Sequence, residues 1–425
     1  MNSNCRSIAV IGAGYVGLTT ALCFAELGFS VCLVENDLTR LSSLQRRTIT
    51  FQEPGFQELL SKHAPSALVM TDSLEQVEMS DFVFVCVGTP STGNGSVDLI
   101  AVHSVLQDLS QSSQSSQVWV LKSSIPPGTT EKLCSDLNLP KSRLVVNPEF
   151  LREGHCIEDF MFPSRIIIGT YENNVADALS DLYSGLQSEL IYCSPTEAEL
   201  IKFASNSALA IKLSFANEVS DICTAVGASP SMVLNGVGAD PRIGRGMLTP
   251  GPGWGGSCLP KDTRALIHTA SELGVSLSMV EAAVESNLHR AARLANVILS
   301  ELRKTGESCV TIWGLTFKAQ TDDLRESPAL TVIDHLLAAG IHVVAFDPGL
   351  RDGESSIDRR VTIVDSQIEA CQHSHLLVVL TEWEAFGRAV ASEIARNTRV
   401  RVVLDTRSVL KRLAWESVGI TFIDF

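Results

Sequence analysis

The stretch Ser7-Ile8-Ala9-Val10-Ile11-Gly12-Ala13-Gly14-Tyr15-Val16-Gly17, carried on through residues 18–27, Gly28 and residues 30–35, decides the fold. Residues 7–11 are a short apolar run with strand character. Residues 18–27 read as a helix that Gly28 ends, and residues 30–34 form a second apolar run closed by Glu35. Strand, turn, helix and strand in this order make a βαβ unit, which implies a parallel sheet. Each glycine has a physical reason: Gly12 permits the tight turn, Gly14 lets the backbone approach a pyrophosphate, and Gly17 allows close packing of helix on strand. The helix N-terminus beside Tyr15 and Val16 offers free N–H groups and a positive dipole end to phosphate. Glu35 is placed to accept hydrogen bonds from an adenosine ribose and to repel a 2′-phosphate. The expected cofactor is therefore NAD over NADP, with Arg40 nearby weakening that preference and FAD open on the motif alone. The same apolar stretch imitates a signal peptide, but its glycines and Glu26 argue for a buried strand, turn and helix.

Working outward, residues 67–70, 82–87, 118–122, 144–146 and 165–169 read as further strands. The Gln/Ser tract 111–117 reads as an exposed loop. From residue 194 the pattern changes to helices over 194–221 and 263–302, separated by a Gly/Pro-rich loop over 235–261. After residue 302 the βα alternation returns, with strands at 308–313, 342–346, 375–380 and 402–404 and a helix at 328–339. The expected fold class is α/β, with two Rossmann-like doubly wound domains joined by a helical middle domain with a long central helix. The expected boundaries are 1–193, 194–302 and 303–425.

The chain has 425 residues, too many for one hydrophobic core. Its net charge of −15 argues against a nucleic-acid partner, which would need a basic face. The 11 cysteines have no zinc-type spacing, so no metal site is expected. Most of them, Cys32 and Cys86 among them, read as small core residues in a reducing, cytoplasmic compartment. No apolar run reaches about 18 residues, so no membrane span is expected.

Four constellations carry candidate chemistry. In Gly253-Trp254-Gly255-Gly256-Ser257-Cys258-Leu259-Pro260-Lys261-Asp262, closely spaced glycines leave a cysteine reachable. Lys261 and a helix starting near Asp262 favour its thiolate. In Asn147-Pro148-Glu149-Phe150-Leu151-Arg152-Glu153, two carboxylates four apart would share a helical face and supply a base and a water activator. Lys202 and Asn206 are likewise four apart on the long helix and are suited to polarising a sugar oxygen. Asp240-Pro241-Arg242-Ile243-Gly244 sets an arginine after a turn. Taken singly, each also has a bland reading as buried core or solvated surface.

Together with Gly314-Leu315-Thr316-Phe317-Lys318-Ala319-Gln320-Thr321-Asp322-Asp323-Leu324-Arg325-Glu326-Ser327-Pro328, these blocks resemble the UDP-glucose/GDP-mannose dehydrogenases. They occur in the family's order over nearly the whole chain. The resemblance implies two successive hydride transfers to NAD, and a homodimer or higher homo-oligomer formed through the middle region. It makes Cys258 the nucleophile that captures an aldehyde and then carries a thioester. It makes Lys202 and Asn206 stabilisers of the developing oxyanion, with Lys202 also a candidate base. Glu149 and Asp262 would position or activate water. Ser124 stands where many members have Thr, with a place beside cofactor and water.

Gly12, Gly14, Tyr15, Val16, Gly17, Glu35, Arg40, Thr89, Ser124, Glu153, Lys261 and Arg325 are implied for NAD. Glu149, Phe150, Leu151, Glu153, Lys202, Asn206, Arg242, Thr249, Gly253, Trp254, Gly255, Phe317, Lys318 and Arg407 are implied for the nucleotide sugar. Arg242 would reach into the partner's site. UDP-glucose is the expected substrate, with GDP-mannose and UDP-N-acetylmannosamine as alternatives. Trp254 and Leu259 depart from the residues usual there. A plain two-electron dehydrogenase and a non-catalytic NAD-binding sensor are the rival classes.

Overall fold

A computed structural model of the chain describes residues 6–112, 117–350 and 356–425. The chain forms two compact units, Met1–Ser205 with Arg264–Val275, and Asn206–Thr263 with Ser276–Phe425.

The first unit is built on eight strands: β1 (Ser7–Ile11), β2 (Ser30–Val34), β3 (Leu68–Thr71), β4 (Phe82–Val85), β5 (Val118–Leu121), β6 (Leu144–Val146), β7 (Arg165–Gly169) and β8 (Glu189–Cys193). Their order is β3-β2-β1-β4-β5-β6-β7-β8. Every neighbouring pair is parallel except β6 and β7, which meet antiparallel at Val146 and Gly169. Side chains of a strand alternate between faces, and β1 shows what each face meets. Ile8 and Val10 pack with Leu18, Leu22 and Phe24 of the helix Tyr15–Glu26. Ala9 and Ile11 pack with Val102, Leu106 and Trp119 on the other face. Helices on both faces explain why β4, with sequence FVFV, is apolar throughout rather than alternating. Each fully buried Leu, Ile or Phe of these layers contributes about 1.5–3 kcal/mol.

The second unit repeats the architecture with six parallel strands: β9 (Cys309–Trp313), β10 (His342–Phe346), β11 (Val361–Ile363), β12 (Leu376–Val379), β13 (Val402–Asp405) and β14 (Thr421–Ile423). Their order is β11-β10-β9-β12-β13-β14. Val310 and Ile312 of β9 face Val332, Leu336, Leu294 and Ile298. Trp313 points the other way, onto Phe386 at 5.2 Å between ring centroids, and onto Trp415. Both expected doubly wound sheets are therefore present.

Between the two sheets in sequence stand four helices, Pro195–Val226, Pro230–Gly238, Leu259–Glu272 and Ser278–Thr305. The first has 32 residues and a length of about 48 Å at 1.5 Å per residue. A reciprocal capping box starts it. The Ser194 N–H donates to Glu197 Oε2 at 2.7 Å, and the Glu197 N–H donates to Ser194 Oγ at 3.3 Å.

The helices differ from expectation in three places. The long helix runs past residue 221 to Val226 and stops where Gly227 takes φ +71°. The expected helix over 263–302 is two helices, broken where Gly274 takes φ +70°. The loop expected over 235–261 is shorter at both ends, because Ser229 caps and Pro230 opens the helix Pro230–Gly238 and the next helix begins at Leu259. The edge strands β8, β11 and β14 were not anticipated; β11 and β14 have three residues each, and β8 is mostly exposed. Of the Gln/Ser tract, residues 113–116 lie outside the described residues. Gln117, expected in an exposed loop, is buried: its amide donates to Val77 O and Ser80 O and accepts from Trp119 Nε1. Cys86 is buried as expected, whereas Cys32 is only half-buried. Among the described residues, no helix is long and apolar enough to cross a membrane.

Candidate active site

The glycine turn behaves as its spacing implies. Gly12 has φ +96°, and its N–H bonds to Val34 O at 2.8 Å; a Cβ there would lie 2.9 Å from Cys86 O. A Cβ on Gly17 would come within 1.7 Å of Gly12 O, so helix and turn touch through this residue. Gly14 is different: nothing lies within 4 Å of a Cβ built on it, and it caps the helix Tyr15–Glu26 without a side-chain hydrogen bond. The space and the uncapped helix end fit a dinucleotide pyrophosphate. Glu35 ends β2 almost fully buried and accepts from the Ala13 N–H (2.9 Å), the Asp37 N–H (2.8 Å) and Arg40 Nη1 (3.0 Å). Arg40 thus neutralises part of the Glu35 charge. Thr89 is buried beyond β4, and Ser124 is half-buried beyond β5.

The segment 147–155 is not helical, so Glu149 and Glu153 share no helical face. Asn147 precedes a proline and is steered away from helix. The Glu149 side chain instead accepts from the Leu151 N–H at 2.7 Å, and Gly154 takes φ +82°. Glu149 is buried against the long helix, where Lys202 Nζ donates to Glu149 Oε1 at 2.7 Å and to Glu149 O at 2.8 Å. Burial works against the charged carboxylate. Lys202, the Leu151 N–H and Lys122 outweigh it, and the carboxyl is held below its usual range. Phe150 lies under two cations, with Arg165 at 3.8 Å and Lys202 at 5.5 Å from its ring centroid. Leu151 and Glu153 are half-buried.

The second cluster lies in the other unit. Asp262 is fully buried and accepts from Asn206 Nδ2 and Lys261 Nζ, both at 2.6 Å. Cys258 immediately precedes the helix Leu259–Glu272, and its carbonyl accepts the Asp262 N–H at 2.9 Å. The helix therefore begins at the cysteine rather than near Asp262. Cys258 is half-buried, with Ser257 Oγ 3.5 Å from its sulfur. The half-exposed thiol therefore stands at a helix N-terminus.

The neighbouring glycines serve packing rather than open space. A Cβ on Gly255 would lie 2.0 Å from Glu326 O, and one on Gly256 2.6 Å from the Phe317 ring. Trp254 is buried, its Nε1 donating to Ser214 Oγ at 2.9 Å, and Asn287 brackets its backbone. A Cβ on Gly251 would meet the Arg407 guanidinium at 2.6 Å, so Arg407 lies along this loop. Thr249 is exposed, and Gly253, Phe317 and Lys318 are half-buried. Arg242 and Arg325 are exposed, forked onto Asp240 and Asp323 respectively.

Several supporting residues were missed by the sequence reading. Lys122, at the end of β5, is buried and donates to Asn147 Oδ1 at 3.0 Å. Glu53 accepts from the Gly154 and Cys156 N–H groups. Glu199 accepts from the Gly128 and Thr130 N–H groups beyond Ser124. Only Lys122 had a local sign, a charged residue closing an apolar strand; Glu53 and Glu199 had none.

Three sequence models of one family match in order. The NAD binding domain of the UDP-glucose/GDP-mannose dehydrogenase family matches residues 6–187, its central domain 196–289 and its UDP binding domain 311–412. The UDP-glucose 6-dehydrogenase of Rhizobium meliloti is 37% identical over 418 residues, covering 95% of this chain and 96% of its own. The structure of a UDP-glucose dehydrogenase from Pyrobaculum islandicum superposes with TM-score 0.89 at 33% identity, covering 99% of this chain and 98% of its own. A UDP-D-ManNAc dehydrogenase from Pyrococcus horikoshii superposes with TM-score 0.85 at 26% identity, covering 96% of each chain. With its two doubly wound sheets, its glycine turn open to a dinucleotide and its cysteine beside Lys261 and Asp262, the chain belongs to the UDP-glucose/GDP-mannose dehydrogenase family, NAD-dependent oxidoreductases of nucleotide sugars.

Proposed function

We propose that this protein oxidises C6 of UDP-glucose from alcohol to carboxylate, with Cys258 as the covalent nucleophile. The observation that carries the reading is Asp262, fully buried between the Asn206 amide and the Lys261 ammonium one turn after Cys258. A buried carboxylate so held, on a helix that begins at a thiol, is suited to steering protons and water around a thioester. UDP-glucose is favoured because the relatives from Rhizobium meliloti and Pyrobaculum islandicum are more alike in sequence than the UDP-D-ManNAc enzyme.

NAD, when bound, supplies the hydride acceptor for both oxidations. Gly12, Gly14, Tyr15, Val16 and Gly17 seat its pyrophosphate, and Glu35 and Arg40 seat its adenosine ribose. Thr89, Ser124, Glu153, Lys261 and Arg325 complete that side. In the first oxidation C6 loses a hydride and its hydroxyl proton and becomes an aldehyde. The Cys258 thiolate adds to the aldehyde carbon, and the resulting oxyanion takes a proton to give a thiohemiacetal. Loss of the second hydride and that hydroxyl's proton leaves a thioester. Water then adds, Glu149 takes one of its protons, and the C–S bond breaks to release the thiolate and a carboxylic acid, which ionises to carboxylate and gives up the third proton. One water is consumed, and two hydrides and three protons leave in all. Lys202, hydrogen-bonded as a donor, is better suited to stabilising the oxyanion with Asn206 than to acting as the base. Phe150, Leu151, Thr249, Gly253, Trp254, Gly255, Phe317, Lys318 and Arg407 hold the nucleotide sugar.

We further read residues 1–193, 194–302 and 303–425 as the NAD-binding, dimerising and UDP-binding parts. Phe215, Ile222 and Val226 of the long helix and Met232 of the next are 47%, 63%, 71% and 74% exposed, apolar surface suited to a homodimer in which Arg242 serves the partner. The free cysteines among the described residues are in keeping with the cytoplasm.

The direct test is Cys258→Ser. The variant should bind NAD as the wild type does and form no UDP-glucuronate; full acid formation would overturn the thioester route. A catalytically active monomer by light scattering would overturn the dimer.

A further inference from the structure

Lys122 takes no part in the chemistry above, yet it is the sort of group a protein seldom buries. Its side chain is 5% exposed at the end of β5. Burying an ammonium is costly unless it is paired or hydrogen-bonded, and its surroundings are specific. Nζ donates to Asn147 Oδ1 at 3.0 Å. The same oxygen accepts from Tyr183 Oη at 2.6 Å, and Asn147 Nδ2 donates to Ile167 O at 2.8 Å. The Asn147 N–H bonds to Leu121 O at 2.9 Å, next to Lys122 in sequence. Asn147 is therefore fixed at four points, and only Pro148, with its locked φ, separates it from Glu149.

We propose that Lys122 is a positioning residue for the water-activating carboxylate, anchoring the Asn147–Glu149 turn and setting a second positive charge beside Glu149. Lys202 donates to Glu149 from the long helix, and Lys122, held on Asn147 from the end of β5, lowers the same carboxyl through its charge. The titratable groups facing Lys122 are Cys86, Glu149 and Lys202, with Tyr183 across Asn147. Desolvation pushes Lys122 down to about 8, while Cys86 and Glu149 oppose that push and Lys202 adds to it. It thus stays mostly charged near neutral pH, the state in which it favours the ionised, proton-accepting form of Glu149. Because Lys122 acts through Glu149, the inference rests on the role proposed for that residue.

The test is the pH profile of kcat for acid formation, with NAD and UDP-glucose saturating. Lys122→Gln keeps an N–H donor for Asn147 and removes only the charge. It should move the acidic limb up by about one pH unit, the smaller end of what a nearby opposite charge does. Lys122→Met should move it likewise with a further fall in kcat, and Lys122→Arg should return it toward the wild-type position. Tyr183→Phe removes an uncharged donor and should leave the limb in place.

An unmoved limb in folded Lys122→Gln, or an equal shift in Tyr183→Phe, overturns the proposal. Glu149→Gln separates the two levels. Wild-type acid formation there overturns the role of Glu149 itself. Its loss, together with an unmoved limb in Lys122→Gln, overturns only the role of Lys122. Infrared difference spectra of wild type against Glu149→Gln need no change at Lys122. They should show Glu149 ionised at about pH 6, well above the ordinary glutamate value of about 4.3, and a protonated carboxyl there overturns the proposal.

Discussion

Alanine at Gly14 and at Gly17 should have opposite consequences, although the two glycines belong to one motif. Gly14 has φ −76° and ψ −170°, extended backbone open to any residue, and nothing lies within 4 Å of its would-be Cβ. Replacing glycine with alanine at such a position stabilises by about 0.4–1 kcal/mol through the unfolded chain. Losing glycine at a helix N-cap costs a comparable amount, about 0.5–1 kcal/mol. The two offset, so Tm should move by no more than about 2 °C at about 2–4 °C per kcal/mol.

The methyl group would, however, occupy the space proposed for the pyrophosphate and hold it off the helix N–H groups. Losing one or two hydrogen bonds to a charged group costs about 1.5–3 kcal/mol each. That corresponds to NAD binding weaker by about ten- to ten-thousandfold. At Gly17 the Cβ would sit 1.7 Å from Gly12 O. That oxygen is backbone and cannot rotate away, so the turn must open. The expected cost is above about 4 kcal/mol, in the exceptional range for one substitution. Calorimetric titration with NAD and thermal unfolding by circular dichroism read both effects. Gly14→Ala binding NAD like the wild type, or Gly17→Ala melting like it, would refute the reasoning.

Three further outcomes are expected. Asn206→Ala should lower kcat by about 10²–10³-fold, the usual effect of removing one oxyanion donor, with little change in the NAD dissociation constant; steady-state kinetics and titration check both. Glu149→Gln leaves Lys202 buried without its carboxylate and should cost about 3–5 kcal/mol at neutral pH. Because the native carboxyl lies below its usual range, its contribution is complete above about pH 4.3 and is lost as pH falls through the native value. The gap between wild type and variant in urea unfolding should therefore narrow on acidification, and a constant gap would contradict the assignment. Trp254→Phe removes the bond to Ser214 and should cost about 1 kcal/mol with kcat largely kept, because Ser214 still donates to Ala283 O at 3.0 Å.

The parts of the fold that sequence discloses are those set by local chemistry. The glycine turn and the continuous apolar strands act within a few positions, and their reading survives into three dimensions. What sequence hides depends on long-range partners. Glu149 and Glu153 have helical spacing, but Pro148, Gly154 and the pairing of Glu149 with Lys202 impose a turn. Gln117 has the composition of a loop, yet three partners bury it. The glycines beside Cys258 read as open space, but Glu326 and Phe317 lie directly against Gly255 and Gly256. Lys122, Glu53 and Glu199 work through partners 25, 101 and 69 positions away, where no periodicity can announce them. The edge strands β8, β11 and β14 have only one strand neighbour each to pattern them, and β8 is mostly exposed.

The most direct test of the account is the amount of NADH formed per UDP-glucose consumed, with purified protein and excess NAD. The thioester route predicts about two, since one enzyme carries the substrate through both oxidations. A yield of about one would reduce the protein to a two-electron alcohol dehydrogenase and contradict the role of Cys258. No NADH from UDP-glucose, with turnover on GDP-mannose or UDP-N-acetylmannosamine, would contradict the substrate.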